Sequence, residues 1–446
     1  MSLMHPFRAL VAGALLVAAA VPGARAAAPV QVTTSPAGIE AWVVEAPDIP
    51  MLALEIVIPG GASTEPADKS GVTAFLAALL TEGAGELDAA AFSARADELA
   101  LRLSVEAGRD EVSVSARMLT ENLEESLELL RLALTEPRFD AEAVERVRAG
   151  MIASLRSESA SPEAKADLAW RAALFDGDPY GRRTDGTEES LAAISVEDLR
   201  AAQARAIHRA GLSIGVVGDL SAAEVGPMLD RLLGALPAEA PAEPGAAEMA
   251  GDRGLILVPH DAPQTLLRLI AEGLPRDDPD FIPAFVMNHI LGGGGFSSRL
   301  TMEVRERRGL TYGAFSYLTT PDRAPLMVVG LATANATAAE ALETVKAEMA
   351  RMRDGGVTEE ELDAAKRYLT GAWPLQFDSN AKIAARLAGF KSQDLTPDYL
   401  TERNALVEAV TLEDVARVAK RLLDPERFLV VAVGRPEGLE AAPASN

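Results

Sequence analysis

The 446-residue sequence contains no cysteine. That excludes disulfides, thiolate zinc sites, a cysteine nucleophile and a lipidated N-terminal cysteine. Histidine is also scarce. There are four, and His5 lies within the first 26 residues. His208, His260 and His289 are far apart, and none has a His or Glu at helical spacing, so they form no recognisable metal motif. Positive charge is short as well: 42 Lys and Arg stand against 66 Asp and Glu. A surface this acidic repels nucleic acid and anionic lipid, so neither is expected as a partner. Beyond the N-terminus no run approaches the roughly 18 apolar residues of a membrane span.

The first 26 residues have the make-up of an export leader. Arg8 supplies the positive start, residues 9–21 form the apolar run, and Ala24-Arg25-Ala26 is an A-x-A cleavage site. Cleavage near Ala26 is expected to release a periplasmic protein with no membrane attachment. Loss of Arg8 and Arg25 takes the formal net charge from −24 to −26. Export without disulfides suits a bacterial periplasm.

The remaining chain repeats itself. Residues 190–220 and 406–436 share a pattern at an offset of 216: Glu197-Asp198 matches Glu413-Asp414, and Gly218 matches Gly434. In each, Ser195 or Thr411 caps a helix with an Asp three residues on, and a β-branched run then ends in Gly. At an offset of 210, Ala74-Phe75 matches Ala284-Phe285, and Gly83 and Gly85 match Gly293 and Gly295. Residues 236–254 are rich in Pro, Ala, Glu and Gly and read as a linker. The expected organisation is a leader at 1–26, one domain at 27–235, the linker at 236–254, a second domain at 255–435 and a disordered tail at 436–446. Residues 52–58 alternate as a strand. Arg102–Ala107 and residues 111–118 form a hairpin around Gly108-Arg109-Asp110. Residues 120–134 and 141–155 have helical periods. Hairpins interspersed with helices predict an α+β fold: two homologous α/β sandwich domains with largely antiparallel sheets.

Two stretches carry the functional signal. Residues 71–78 read Gly-Val-Thr-Ala-Phe-Leu-Ala-Ala, and residues 291–313 read LGGGGFSSRLTMEVRERRGLTYG. Together they resemble the pitrilysin/insulinase-type zinc peptidases, which include mitochondrial processing peptidase. In that family the first stretch carries His-x-x-Glu-His on a helix. Two imidazoles four residues apart hold zinc, and the Glu activates its water. Here Ala74, Ala77 and Ala78 stand at those positions. Alanine keeps the helix and offers no lone pair. The third family ligand, a downstream Glu, has no counterpart in residues 150–155, and Glu158 lies too far along.

The second stretch is similar to the family's C-terminal motif: a glycine loop, Ser-Arg-Leu, then Arg seven residues before Tyr. The resemblance assigns Arg305 and Tyr312 as catalytic donors to a substrate carbonyl and its oxyanion. The expected geometry is a helix from 297 or 298 to about 308, a stop at Gly309 and a strand over 310–317, so that the pair converges. Gly292, Gly293, Gly294, Gly295 and Phe296 are candidates for substrate or partner contact; no Gly-Lys-Ser/Thr follows, so nucleotide binding is rejected. Asp178-Pro179-Tyr180-Gly181 matches a structural family motif. The resemblance implies half of a clam-shell and a subunit with no zinc of its own. Its implied partner is a homologous His-x-x-Glu-His peptidase subunit that carries the zinc, and the two would enclose an extended peptide substrate. The alternative is an inactive scaffold or peptide-binding protein of the same fold.

Overall fold

A computed structural model describes residues 29–240, 242, 245–249, 254–320 and 323–440. The export leader expected at residues 1–26 lies outside the described residues. The first half carries β1 (Gln31–Thr34), β2 (Glu40–Glu45), β3 (Met51–Pro59), the short pair β4 (Gly83–Ala84) and β5 (Leu87–Asp88), β6 (Arg102–Ala107), β7 (Glu111–Leu119) and β8 (Ser213–Gly218). The second carries β9 (Leu255–Pro259), β10 (Gln264–Glu272), β11 (Thr311–Thr319), β12 (Leu326–Ala334) and β13 (Leu429–Gly434). The sheet orders are β1-β2-β8-β3-β7-β6 and β9-β13-β10-β12-β11. Apart from β1, the two orders are the same when strands are matched in sequence. Each sheet has one parallel pair, β2 with β8 and β13 with β9, and is otherwise antiparallel. The duplication read in the sequence is therefore a duplication of topology.

Gly218 and Gly434 show why the repeat keeps a glycine. Both end the central strand at φ 154°. A Cβ on Gly218 would run into the Met51 carbonyl, and one on Gly434 would sit 2.6 Å from Thr265 Oγ1. Both sites lie at the start of the neighbouring strand, where no side chain fits.

Each sheet buries one face under its own helices. In the first half Leu52, Leu54, Ile56 and Ile58 meet Phe75, Leu76, Leu130, Leu199 and Leu229. In the second, Leu267, Leu269, Val329 and Leu331 meet Met287, Val345, Met349 and Val418. The opposite faces are covered by exchange. Helix Pro162–Leu174 of the first half lies on β13, β10 and β9 of the second. Helix Asn380–Ser392 of the second lies on β8 and β3 of the first. Gly215 permits the latter approach: a Cβ there would meet the Ala384 carbonyl, and Leu387 Cβ at 3.0 Å. Trp42, Val44, Ala53 and Val217 are buried by that helix.

Tyr180 of the Asp-Pro-Tyr-Gly segment locks this seam and is 1% exposed. Its hydroxyl donates to Asp110 Oδ2 and accepts from the Arg323 N–H at 3.1 Å. Its ring lies between the guanidinium groups of Arg109 and Arg323, at 5.2 and 4.9 Å. The tail needs a correction. Of the tail 436–446, expected to be disordered, residues 436–440 are held: the Glu437 N–H donates to the Asn335 carbonyl at 2.9 Å, and Leu439 packs on the second core, while residues 441–446 lie outside the described residues.

Candidate functional site

The helix that would carry zinc ligands is intact and well supported. It spans Val72–Leu79. Gly71 enters it at φ 87°, and a Cβ there would lie 2.8 Å from the Asp185 backbone. Glu65, 6% exposed, accepts from the N–H groups of Gly71 at 2.8 Å and Thr73 at 2.7 Å. This carboxylate satisfies orphan donors at the helix start and complements its dipole. Burial pushes the Glu65 carboxyl up, against the downward pull of those two donors. Arg148 of helix Ala141–Ser159 lies over the Phe75 ring at 5.1 Å and donates to the Ile194 carbonyl at 2.9 Å.

On this supported helix Ala77 is buried, Ala74 half-buried and Ala78 exposed. Their methyl groups have nothing to offer a metal. Glu158 pairs with Arg183 at 3.1 Å instead. Among the described residues no group of three His, Cys, Asp or Glu lies together as a metal site. The histidines have separate neighbours. His208 Nε2 is 3.1 Å from the Pro59 carbonyl, His260 Nδ1 is 3.0 Å from Lys165 Nζ, and His289 stacks on Tyr368 at 4.9 Å. Gly211-Leu212-Ser213-Ile214-Gly215 has the spacing of a nucleophile elbow. Ser213, however, opens a central strand and is buried, so it lacks the exposed strand-to-helix turn that an elbow needs.

The second motif is less regular than its sequence suggests. Helix Phe281–Asn288 widens into a π turn at His289–Gly293, a 3₁₀ turn follows at Gly295–Ser297, and Thr301–Arg307 is again π. The sequence predicts one ordinary helix from 297 or 298. The structure divides it, with π segments of the kind that often accompany functional sites. Ser298 Oγ donates to the Gly295 carbonyl at 2.8 Å and tightens the turn.

The glycines divide too. Gly292 is buried, and a Cβ there would meet Ser316 Oγ at 2.6 Å; Gly294 lies against the His289 carbonyl. For these two the missing side chain serves internal packing, which corrects the expectation of ligand contact at Gly292. Gly293, Gly295 and Phe296 remain exposed, Phe296 at 72%. Arg299, the arginine of the Ser-Arg-Leu motif, to which the sequence assigned no role, fixes the segment. It makes two 2.7 Å bonds to Glu361 and one of 3.0 Å to the Gly356 carbonyl. A planar fork on a carboxylate gives orientation as well as attraction.

Arg305 sits within the second π segment, about a third exposed. Its guanidinium lies 4.6 Å from the Phe296 ring centre, and Nε is 3.4 Å from Glu306. Tyr312 is 85% exposed. The pairing of β11 with β12 shifts between Thr311 and Ala314, so Tyr312 stands on a β-bulge, a device that re-aims side chains. Thr311 Oγ1 pins the bulge by donating to the Ala332 carbonyl at 2.7 Å and accepting from the Gly313 N–H at 3.1 Å. Arg305 and Tyr312 share no hydrogen bond. The phenol has no hydrogen-bond partner among the described residues, and the arginine is held by an aromatic face. Both donors are left available.

Comparison with known proteins agrees with this architecture. The family model described as Insulinase (Peptidase family M16) matches residues 43–188, and that described as Peptidase M16 inactive domain matches residues 193–369. The non-peptidase homolog YmxG of Helicobacter pylori is 27% identical over 340 residues, covering 76% of this chain and 78% of that protein. An uncharacterized zinc protease of Mycobacterium leprae is 25% identical over 408 residues, covering 90% and 91%. The crystal structure of a peptidase M16 inactive domain from Pseudomonas fluorescens superposes with a TM-score of 0.86 at 30% identity, covering 91% of this chain and 98% of that one. Two matched domains, one shared fold and alanines in place of the zinc ligands make this chain a member of the M16 (insulinase) peptidase family of the inactive type.

Proposed function

We propose that this chain is the non-zinc subunit of a two-chain periplasmic zinc endopeptidase. It completes the partner's active site with Arg305 and Tyr312 and helps to enclose an extended peptide. The observation that carries the reading is the availability of both donors: a phenol 85% exposed on a pinned bulge, and a guanidinium seated on Phe296. A pure scaffold has no use for such exposed, oriented donors. The zinc, held by a homologous subunit with an intact His-x-x-Glu-His, would supply an activated water. Arg305 and Tyr312 would donate to the substrate carbonyl and to the oxyanion that replaces it. Phe296, Gly293 and Gly295 would line the approach. The leader at residues 1–26 supports export, and among the described residues no helix is long and apolar enough to cross a membrane.

The test is reconstitution with a zinc-bearing homologue and an unstructured peptide substrate. The chain alone is expected to be inactive and the mixture active. Arg305→Ala or Tyr312→Phe should lower kcat by ~10²–10³ while assembly is unchanged. If both variants assemble and cleave at the wild-type rate, the pair is only structural and the scaffold reading takes its place.

A further inference from the structure

Aromatic residues make up 4% of the sequence, yet three of the nine residues of β11 are aromatic: Tyr312, Phe315 and Tyr317. All three are exposed, at 85%, 38% and 45%. Thr311, Ala314 and Ser316 between them are buried, and Ala314 belongs to the core under the helices. The bulge makes this arrangement possible. Residues three apart on a regular strand point to opposite faces. Thr311 and Ala314 pair with Thr333 and Leu331, which are two apart and share a face, so one extra residue is inserted between them. Tyr312 is thereby turned to the side that Phe315 and Tyr317 occupy.

The duplication supplies an internal comparison. β6 takes the place in the first sheet that β11 takes in the second. Leu103, Val105 and Ala107 of β6 pack towards their core, and Arg102, Ser104 and Glu106 are exposed on the other face. A polar row of that kind suits contact with water alone. At the matching place β11 carries rings, and a run of exposed apolar side chains marks a surface that binds something. Leu326 and Val328 of the neighbouring β12 are buried in one cluster with helix Pro162–Leu174, so the exposed row is confined to the edge strand. The rings are held in place. Gly330 lies opposite Phe315, and a Cβ there would lie 2.6 Å from Phe315 Cζ, so the ring rests against β12. The Arg268 guanidinium is 5.1 Å from its centre. Phe315 and Tyr317 stack at 6.0 Å with their planes 15° apart. Fixed rings offer apolar contact area in a defined orientation.

We propose that Phe315 and Tyr317 determine specificity at the site that Tyr312 serves: they take an apolar side chain of the extended peptide, a few residues to one side of the bond to be cut. This role rests on Arg305 and Tyr312 acting on the substrate. Continuity along one strand face chooses the occupant, because a chain whose carbonyl reaches Tyr312 must pass along the row or away from it. Phe315 and Tyr317 stand three and five residues from Tyr312. At about 3.3 Å per residue, shortened by the bulge, the contact falls roughly two to five residues from the cleaved bond.

A series of neutral peptides tests it on the reconstituted complex and, by fluorescence anisotropy, on the mature chain alone. One fixed cleavage site is flanked by Ser and Gly, and a single Phe is moved stepwise along either side. A Phe two to five residues away on one side is expected to lower KM, and Kd for the chain alone, roughly tenfold below the all-Ser peptide. The same Phe farther out should do neither. Phe315→Ser combined with Tyr317→Ser should abolish the preference, and Phe315→Tyr combined with Tyr317→Phe should keep it, with folding checked by circular dichroism. If no mixture cleaves, or if the Arg305 and Tyr312 variants keep the full rate, the catalytic reading fails by itself and the anisotropy series still decides the role of the row. Equal binding of all peptides, or a preference unchanged in the folded double serine variant, overturns the proposal. So does a wild-type dimer that the same variant converts to monomer in size-exclusion chromatography, since a second copy would then be the occupant.

Discussion

Ala74, Ala77 and Ala78 remove the metal chemistry while keeping the helix, because alanine is the best helix former and Glu65 still satisfies the helix start. The purified mature chain is therefore expected to hold far less than one zinc per molecule. Metal analysis by mass spectrometry checks this, and one tightly held zinc per chain would contradict it. His289 makes a second prediction at this scale. It is 9% exposed, stacked on Tyr368, and burial lowers its pKa below the usual histidine value. The unfolded chain then binds the proton more readily than the folded one. Stability from the neutral ring is present above the unfolded value of about 6.5 and is lost as pH falls through the lower folded value. His289→Phe keeps the stack and should flatten the decline of Tm between roughly pH 7 and 5.

At the scale of elements, the repeated helices Val196–Ala206 and Leu412–Leu422 begin with the same capping box. Thr411 Oγ1 accepts from the Asp414 N–H at 3.1 Å, and the Asp414 carboxylate accepts from the Thr411 N–H at 2.9 Å. Thr411→Ala is expected to lose about 1 kcal/mol, read as a lower urea midpoint with an unchanged slope. Bonds from Thr411 and then Arg417 hold the Asp414 carboxyl at about 2. A depressed folded pKa means that this stabilisation is present above the unfolded value of about 3.9 and is lost as pH falls through the folded one. The caps were legible in the sequence because a cap is local: four residues contain donor, acceptor and spacing. The π segments around Gly292 and Arg305 were not, since they answer to tertiary contacts with Ser316, Glu361 and β11 that no local residue spacing encodes.

At the scale of the molecule, the exchange of helices Pro162–Leu174 and Asn380–Ser392 makes each half incomplete alone. Without the second half, Trp42, Val44, Ala53 and Val217 lose their cover; without the first, Leu266, Ile270, Val431 and Val433 lose theirs. Burial of such side chains is worth roughly 1.5–3 kcal/mol each, comparable in sum with a domain's net stability. The mature chain should therefore unfold in one transition. Residues 27–235 expressed alone should aggregate or bind a hydrophobic dye, and coexpressed halves should assemble. Size-exclusion chromatography and calorimetry distinguish this from two independent domains, which would unfold separately.

The sequence by itself determined the duplication, the mixed helix-and-hairpin pattern, the capped helices and the loss of zinc ligands. Each follows from residue type and short spacing: a period of two or 3.6, a glycine where no Cβ fits, an alanine where an imidazole is needed. Only the tertiary structure decided which helix covers which sheet, that Gly292 packs inward while Phe296 carries Arg305, and that Arg109 and Arg323 meet on the Tyr180 ring. Those arrangements depend on contacts between residues often more than a hundred positions apart. A periodic pattern shows that a helix has an apolar face but does not name the surface that will bury it.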